Sequence, residues 1–241
     1  MEETIWTPYC GPAPATSEWT GHWNSDPALL IVLGLAGLMW SRWQRRGDSR
    51  AAVGALAIAL FLFVSPFCAL GSALFSVRII HDTILAIALG PLVMAATGLH
   101  RRIIPGSLAG WTAVHIVIFL AWHAPSLYGA AMSSDAVFWT MQISITASAA
   151  MWWAKLLQSP TSAATASLLA AVVATGALGA LLTFAGNAYY APHWLTTQAW
   201  GLSPLEDQQI AGIIMWAPAS AFYMLAALTL LYRSLDEPAR A

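Results

Sequence analysis

The stretch Pro27–Leu70, PALLIVLGLAGLMWSRWQRRGDSRAAVGALAIALFLFVSPFCAL, decides the fold. Two apolar runs lie on either side of a short loop, Trp43 to Arg50, that carries Arg45, Arg46 and Arg50, with Arg42 at the end of the first run. Each run has the ~17–25 residues that a helix needs to cross a bilayer. Basic residues stay on the cytoplasmic side during insertion, so this loop reads as an inner one.

Working outward, the same reading divides the chain into seven spans, 27–43, 51–70, 80–98, 108–124, 136–157, 167–186 and 204–232. With the N-terminus outside, Arg42, Arg45, Arg46, Arg50, Arg101, Arg102, Lys155, Arg233 and Arg240 all fall inside, and only Arg78 falls outside. The expected fold class is all-α: a seven-helix transmembrane bundle, N-terminus outside, C-terminus cytoplasmic. Residues 1–26 form a translocated tail, 27–232 the membrane domain and 233–241 a cytoplasmic tail. Pro91 and Pro218 lie inside spans three and seven, where proline usually kinks a helix. Span six, with Gly176, Ala177, Gly179 and Ala180, reads as a closely packed central helix.

Composition agrees. Charged residues make up 9% of the 241, against about 25% in a soluble domain. A net charge of −1 and the lack of a basic stripe argue against nucleic acid as a partner; along the spans the partner is membrane lipid. Residues 1–25 hold no Lys or Arg, so no cleavable secretory signal is expected. Trp6, Trp19 and Trp23 suit an interfacial belt. Cys10 and Cys68 both fall outside, where a disulfide can form. Two cysteines make no framework, and free buried thiols are the favoured reading.

Ionisable groups in a bilayer are functional candidates by default. Here they collect at the outer helix ends: His81 and Asp82 on span three, His123 on span four, Glu206, Asp207 and Gln208 on span seven. Asn187, Tyr189, Tyr190 and His193 lie in the outer loop between spans six and seven. His115 sits eight residues before His123, ~12 Å deeper at ~1.5 Å per residue. Met215 reaches a similar depth, and imidazole with thioether suits Cu(I). Plainer readings stand beside these. Arg78 and Asp82 are spaced to pair along a helix. Ser203-Pro204-Leu205-Glu206 reads as a capping box, and Asp207 also favours a helix N-terminus. Met94 and Met132 read as packing.

Ser65-Pro66, Leu74-Phe75-Ser76 ahead of the helix 81–91, His123-Ala124-Pro125-Ser126-Leu127-Tyr128, and above all Gly201–Gly212 (GLSPLEDQQIAG) with Met215-Trp216 carry a resemblance. Over residues 27–232 the chain resembles the CtaG family, polytopic assembly factors of bacterial haem–copper cytochrome c oxidase. The resemblance implies a bacterial plasma (inner) membrane protein that helps mature the oxidase, with oxidase subunits as partners and no catalysis. It also implies that His81, His123, Glu206, Asp207 and Gln208 are the matching polar positions. Many members carry two histidines a turn apart in span three; here Arg78 stands at the first of these positions and Asp82 follows His81.

The favoured reading is an assembly factor that handles copper, or holds an oxidase subunit, at the outer face. His81 and His123 would be ligands, His115 and Met215 a deeper pair. Asp82, Glu206, Asp207 and Gln208 would orient ligands or dock a partner. The alternative is a membrane transporter for copper or another small solute, with Pro91 and Pro218 breaking helices. No haem is expected, although His115 or His123 as an axial ligand defines a third class. A retinal Schiff base is excluded, because the only lysine is Lys155, at an inner end. No Gly-x-Ser-x-Gly elbow supports hydrolysis.

Overall fold

Residues 6–42 and 48–236 are described by a computed structural model. Arg45, Arg46 and Arg240, part of the charge-sorting argument, lie outside the described residues, as does most of the loop that carries the first two.

The described residues form helices joined by turns, with no strand among them. Each of the seven apolar runs is helical. The first gives α1, Pro27–Arg42. The second gives α2, Ser49–Phe63, capped where the Asp48 carboxylate accepts from the Arg50 N–H (2.8 Å), and α3, Phe67–Ala73. The third gives α4, Phe75–Ile84, a π-helical turn at Leu85–Leu89, and α5, Gly90–Thr97. The fourth gives α6, Leu108–Trp122, capped by Ser107, and α7, Pro125–Ala131. The fifth and sixth give α8, Asp135–Leu157, and α9, Thr161–Thr183. The last gives α10, Pro204–Ile214, a π-helical turn at Met215–Ala219, and α11, Ser220–Asp236.

Among the described residues, three helical rods are long and apolar enough to cross a membrane: Phe75–Thr97, Thr161–Thr183 and Pro204–Leu235. The count rises to five if the bent pairs α2–α3 and α6–α7 are each one span. The expected seven is therefore not reached on length and apolarity alone. The α1 helix is short, and α8 carries Gln142, Ser144, Ser148 and Lys155.

The prolines act differently from expectation. Proline removes one helical hydrogen bond and crowds the carbonyl four residues back. Around Pro91 and Pro218 a π turn absorbs that residue, and each rod remains a single candidate span. The sharp bends lie elsewhere, 43° between α2 and α3 beside Pro66 and 75° between α6 and α7 beside Pro125.

The central helix is α8, not α9. Phe138, Met141, Ile145, Trp152 and Leu156 of α8 are buried, whereas α9 leaves Leu169, Val173 and Leu181 exposed. In lipid, apolar burial does little to join helices, so close backbone approach and interhelical hydrogen bonds take over. The small residues of α9 serve that purpose on one side. A Cβ on Gly212 would lie 2.6 Å from the Gly179 carbonyl oxygen, and one on Gly179 would lie 2.7 Å from that of Gly212. Gly90 meets Ala149 of α8 in the same way. Deep in the bundle, Trp152 Nε1 donates to Ser167 Oγ (2.8 Å) and to Thr112 Oγ1 (3.2 Å), tying α8 to α9 and α6.

One end of the bundle carries His81 and His123; it is called the histidine end below. Arg101, Arg102 and Lys155 lie together at the opposite end, where Lys155 donates to Ile104 O and Gln158 donates to His100 O and Arg102 O. The N-terminal segment is packed across the histidine end rather than hanging free. Thr7 Oγ1 donates to Ser133 O, Trp200 Nε1 donates to Pro14 O, Tyr9 stacks on Phe138, and its hydroxyl donates to Asp26. Burial and that bond push the Tyr9 hydroxyl up to about 12, and the same bond holds Asp26 below the usual carboxylate range. Cys10 and Cys68 form a disulfide, against the expectation of free thiols. Apart from the two cysteines, no local feature of residues 6–26 marks their packing onto α3.

Candidate functional site

Helix α4 begins at Phe75, five residues before the span read from sequence, because Asp207 of α10 caps its first N–H groups. Arg78, His81 and Asp82 stand three and four residues apart, on one helix face. All three are buried, Asp82 completely.

Arg78 is 1% exposed. Its guanidinium lies 5.2 Å from the Phe138 ring centroid, and Nη2 lies 3.9 Å from Cys10 Sγ. Gly71 leaves it room, since a Cβ there would come within 3.0 Å of Cζ. The direct Arg78–Asp82 pair suggested by their spacing is absent; no salt bridge among the described residues joins them. Arg78 Nε and Nη1 have no hydrogen-bond partner, nor does Asp82 Oδ2.

The two histidines are held alike. His81 Nδ1 lies 3.3 Å from Asp82 Oδ1, and its ring packs edge-on to Phe63 and parallel to Phe67. His123 caps the C-terminus of α6, and its Nδ1 lies 2.6 Å from the Phe119 carbonyl oxygen. A carbonyl or an ionised carboxylate can only accept, so each imidazole donates from Nδ1 and keeps a lone pair on Nε2. Among the described residues, neither Nε2 has a hydrogen-bond partner. Asp82 lies within electrostatic range of His123 as well.

The loop 187–203 folds back into this layer. Tyr190 stacks on Phe75 with centroids 3.7 Å apart, and its hydroxyl donates to the His123 carbonyl (2.8 Å). The Tyr128 hydroxyl meets His193 Nε2 at 2.6 Å. Burial, helped by the nearby positive charge of Arg78, pulls His193 down to about 3, so it stays neutral. Sequence reading placed Tyr190 and His193 in this loop but could not pair them with α4 and α7. It passed over Gln142 of α8 altogether, whose two amide atoms are buried without partners. Its i+3 and i−4 neighbours on the buried face, Ile145 and Phe138, gave the only signal.

The polar residues of α10 have structural partners. The Glu206 carboxylate accepts from the Ser203 N–H and the Ser203 hydroxyl accepts from the Glu206 N–H, a complete capping box. Asp207 accepts from the Phe75 N–H (2.6 Å), the Ser76 N–H (3.2 Å) and the Ser76 hydroxyl (2.5 Å), capping α4 from another helix. Gln208 accepts from the Tyr189 N–H (2.7 Å) and donates to Asn187 O (3.1 Å), fastening the loop. None of the three bonds to a histidine. Those oriented imidazoles owe their pose to Asp82 and the Phe119 carbonyl instead.

A family model described as cytochrome c oxidase caa3 assembly factor (Caa3_CtaG) matches residues 34–237. The chain belongs to this family. Its role therefore lies in assembly of cytochrome c oxidase, as the resemblance over the 201–216 segment implied. No curated protein and no solved structure matches the chain.

Of the deeper candidate pair read from helix depth, Met215 does not line the hollow beside His115. His115 lies on α6, with Nδ1 3.0 Å from Ser148 Oγ and its ring stacked 5.0 Å from Trp152. The hollow beside it is walled by Phe119, Leu120, Ala171, Thr175 and Tyr223 among others; Met215 is not one of them. Met215 is buried in the π turn of the last rod. Among the described residues, no three His, Cys, Asp or Glu side chains converge closely enough to hold a metal ion.

Proposed function

We propose that this chain is an integral assembly factor of the bacterial plasma membrane that passes Cu(I) to an oxidase subunit at its histidine end. In this reading all seven helical rods cross or enter the bilayer, the histidine end faces outside and the arginine end faces the cytoplasm. The sorting of basic residues supports that orientation.

One observation carries the copper reading: His81 and His123 each donate from Nδ1 to a fixed acceptor and leave a buried Nε2 lone pair unpartnered. Metal-binding histidines are dressed in this way, with a carboxylate or carbonyl fixing the tautomer. Neutral imidazole suits copper, and a pair of imidazoles, with no cluster of three His, Cys, Asp or Glu among the described residues, suits capture and release better than permanent retention. The cation is cargo here, and no bond is made or broken in it.

Metal content and Cu(I) affinity of the detergent-purified chain test this, measured against a His81→Ala/His123→Ala double variant. Near-stoichiometric copper that the variant loses is the expected result. Copper absent from both proteins rejects copper handling and leaves a scaffold, whose partner subunit co-purification would reveal.

A further inference from the structure

Cys10 and Cys68 are 58 residues apart in sequence, with Cα atoms 5.3 Å apart across their disulfide. Cys68 is buried in α3. Cys10 sits in a surface turn where the Gly11 N–H donates to Pro8 O (2.9 Å), next to exposed Pro12 and Ala13. Cys10 is itself buried, at 8% exposure, but less deeply than Cys68 at 1%.

Two features set this bridge apart from a plain staple. Arg78 Nη2 lies 3.9 Å from Cys10 Sγ, and two other guanidinium nitrogens have no hydrogen-bond partner. A cation beside sulfur favours thiolate over thiol, and stabilising the thiolate favours the reduced pair. The segment that carries Cys10 is also fastened without the bridge, through Thr7 to Ser133, Tyr9 to Asp26 and Trp200 to Pro14. Opening the bond leaves the two sulfurs facing each other.

We propose that the Cys10–Cys68 pair is a redox-gated Cu(I) site, formed when a dithiol reductant opens the bridge. The proposal rests on the copper-handling reading above. A thiolate of the reductant attacks Cys10 Sγ, the S–S bond breaks, and Cys68 leaves as thiolate. The second thiol of the reductant, deprotonated, then attacks the mixed disulfide and releases Cys10 as thiolate beside Arg78. The two electrons come from the reductant, which leaves as a disulfide. Two thiolates within reach of one another are a soft ligand pair that selects Cu(I). Arg78 offsets one of their negative charges.

The test is Cu(I) affinity of the full chain in detergent, by competition with a chromophoric Cu(I) chelator, for oxidised protein and for protein reduced with dithiothreitol and desalted under nitrogen. Reduction should tighten binding by an order of magnitude or more, and Cys10→Ser and Cys68→Ser should each abolish the gain. Equal affinity in the two redox states, or a gain that survives in Cys68→Ser, overturns the proposal. If a serine variant does not elute as a single species, alkylation of the reduced wild-type pair with iodoacetamide must remove the gain. The His81→Ala/His123→Ala variant separates the two readings. If it loses binding only when oxidised, both stand. If oxidised wild-type binds nothing yet reduction confers binding, the histidine reading fails and this one stands.

Discussion

Asp207, at the start of α10, closes the N-terminus of α4 at Ser76, accepting from its N–H (3.2 Å) and its hydroxyl (2.5 Å) while also holding the Phe75 N–H. The first N–H groups of a helix have no partner within it, and a carboxylate there gains from the dipole as well. Leu74 occupies the cap position and has no side-chain acceptor, so α4 takes its cap from the last rod. Removing the carboxylate strands three buried donors, the Phe75 N–H, the Ser76 N–H and the Ser76 hydroxyl. Asp207→Ala should cost about 2–3 kcal/mol, seen as a lower unfolding temperature in detergent. Asp207→Asn keeps an acceptor and should lose less. An Ala variant with wild-type stability that fails only in oxidase maturation would return Asp207 to a docking role.

The α9–α10 contact is decided by two glycines. A Cβ on Gly212 meets the Gly179 carbonyl and the Thr183 N–H nitrogen, each at 2.6 Å, and backbone cannot yield as a side chain can. Gly212→Ala and Gly179→Ala should each destabilise by about 1–3 kcal/mol or more. Gly176 is the control: its nearest neighbour would be 3.6 Å away, so Gly176→Ala should melt like wild type. The same thermal series reads all three.

His193 makes stability depend on pH. Its folded value, near 3, lies below the ~6.5 of an unfolded histidine. A depressed histidine binds its proton in the unfolded chain first, so its contribution is complete above about pH 6.5 and is lost progressively toward pH 3. The slope approaches about 1.4 kcal/mol per pH unit, or ~2 kcal/mol between pH 7 and 5. Asp26 is held low by Tyr9, so its contribution fades only at more acid pH, outside that range. Unfolding temperatures at pH 7 and 5 should therefore diverge less for His193→Gln than for wild type. Equal slopes would mean that His193 is not the buried neutral group, bonded to Tyr128, described above.

Much of this was legible in the sequence, and what was not has physical reasons. The helical runs, the layer of polar groups at one end and the Ser203–Glu206 box follow from hydropathy and local capping chemistry, which act over a few residues. The early start of α4 did not follow, because its cap comes from Asp207, over 130 positions away. The roles of Asp207 and Gln208 as fasteners, the fold-back of His193 and the disulfide share that cause: each is a long-range contact with no local signature. The prolines misled for a different reason. Sequence marks a lost hydrogen bond at Pro91 and Pro218, but not whether a bend or a π turn absorbs it.

The deep pair His115 and Met215 should be dispensable for copper. The Ser148 hydroxyl donates to Ile145 O (3.1 Å), so its oxygen accepts from His115 Nδ1. The ring is also stacked on Trp152, whose indole is committed to Ser167 and Thr112. This is how a core histidine is satisfied, and Met215 does not line the hollow beside it. His115→Phe keeps the stack and loses one hydrogen bond, which should lower stability by about 1 kcal/mol. Met215→Leu is nearly volume-conserving and should cost under about 1.5 kcal/mol. Cu(I) affinity should match wild type in both. A variant at either position that binds no copper, while still eluting as a single species, would move the site from the histidine end into the bundle and make the two prolines' π turns part of an ion path.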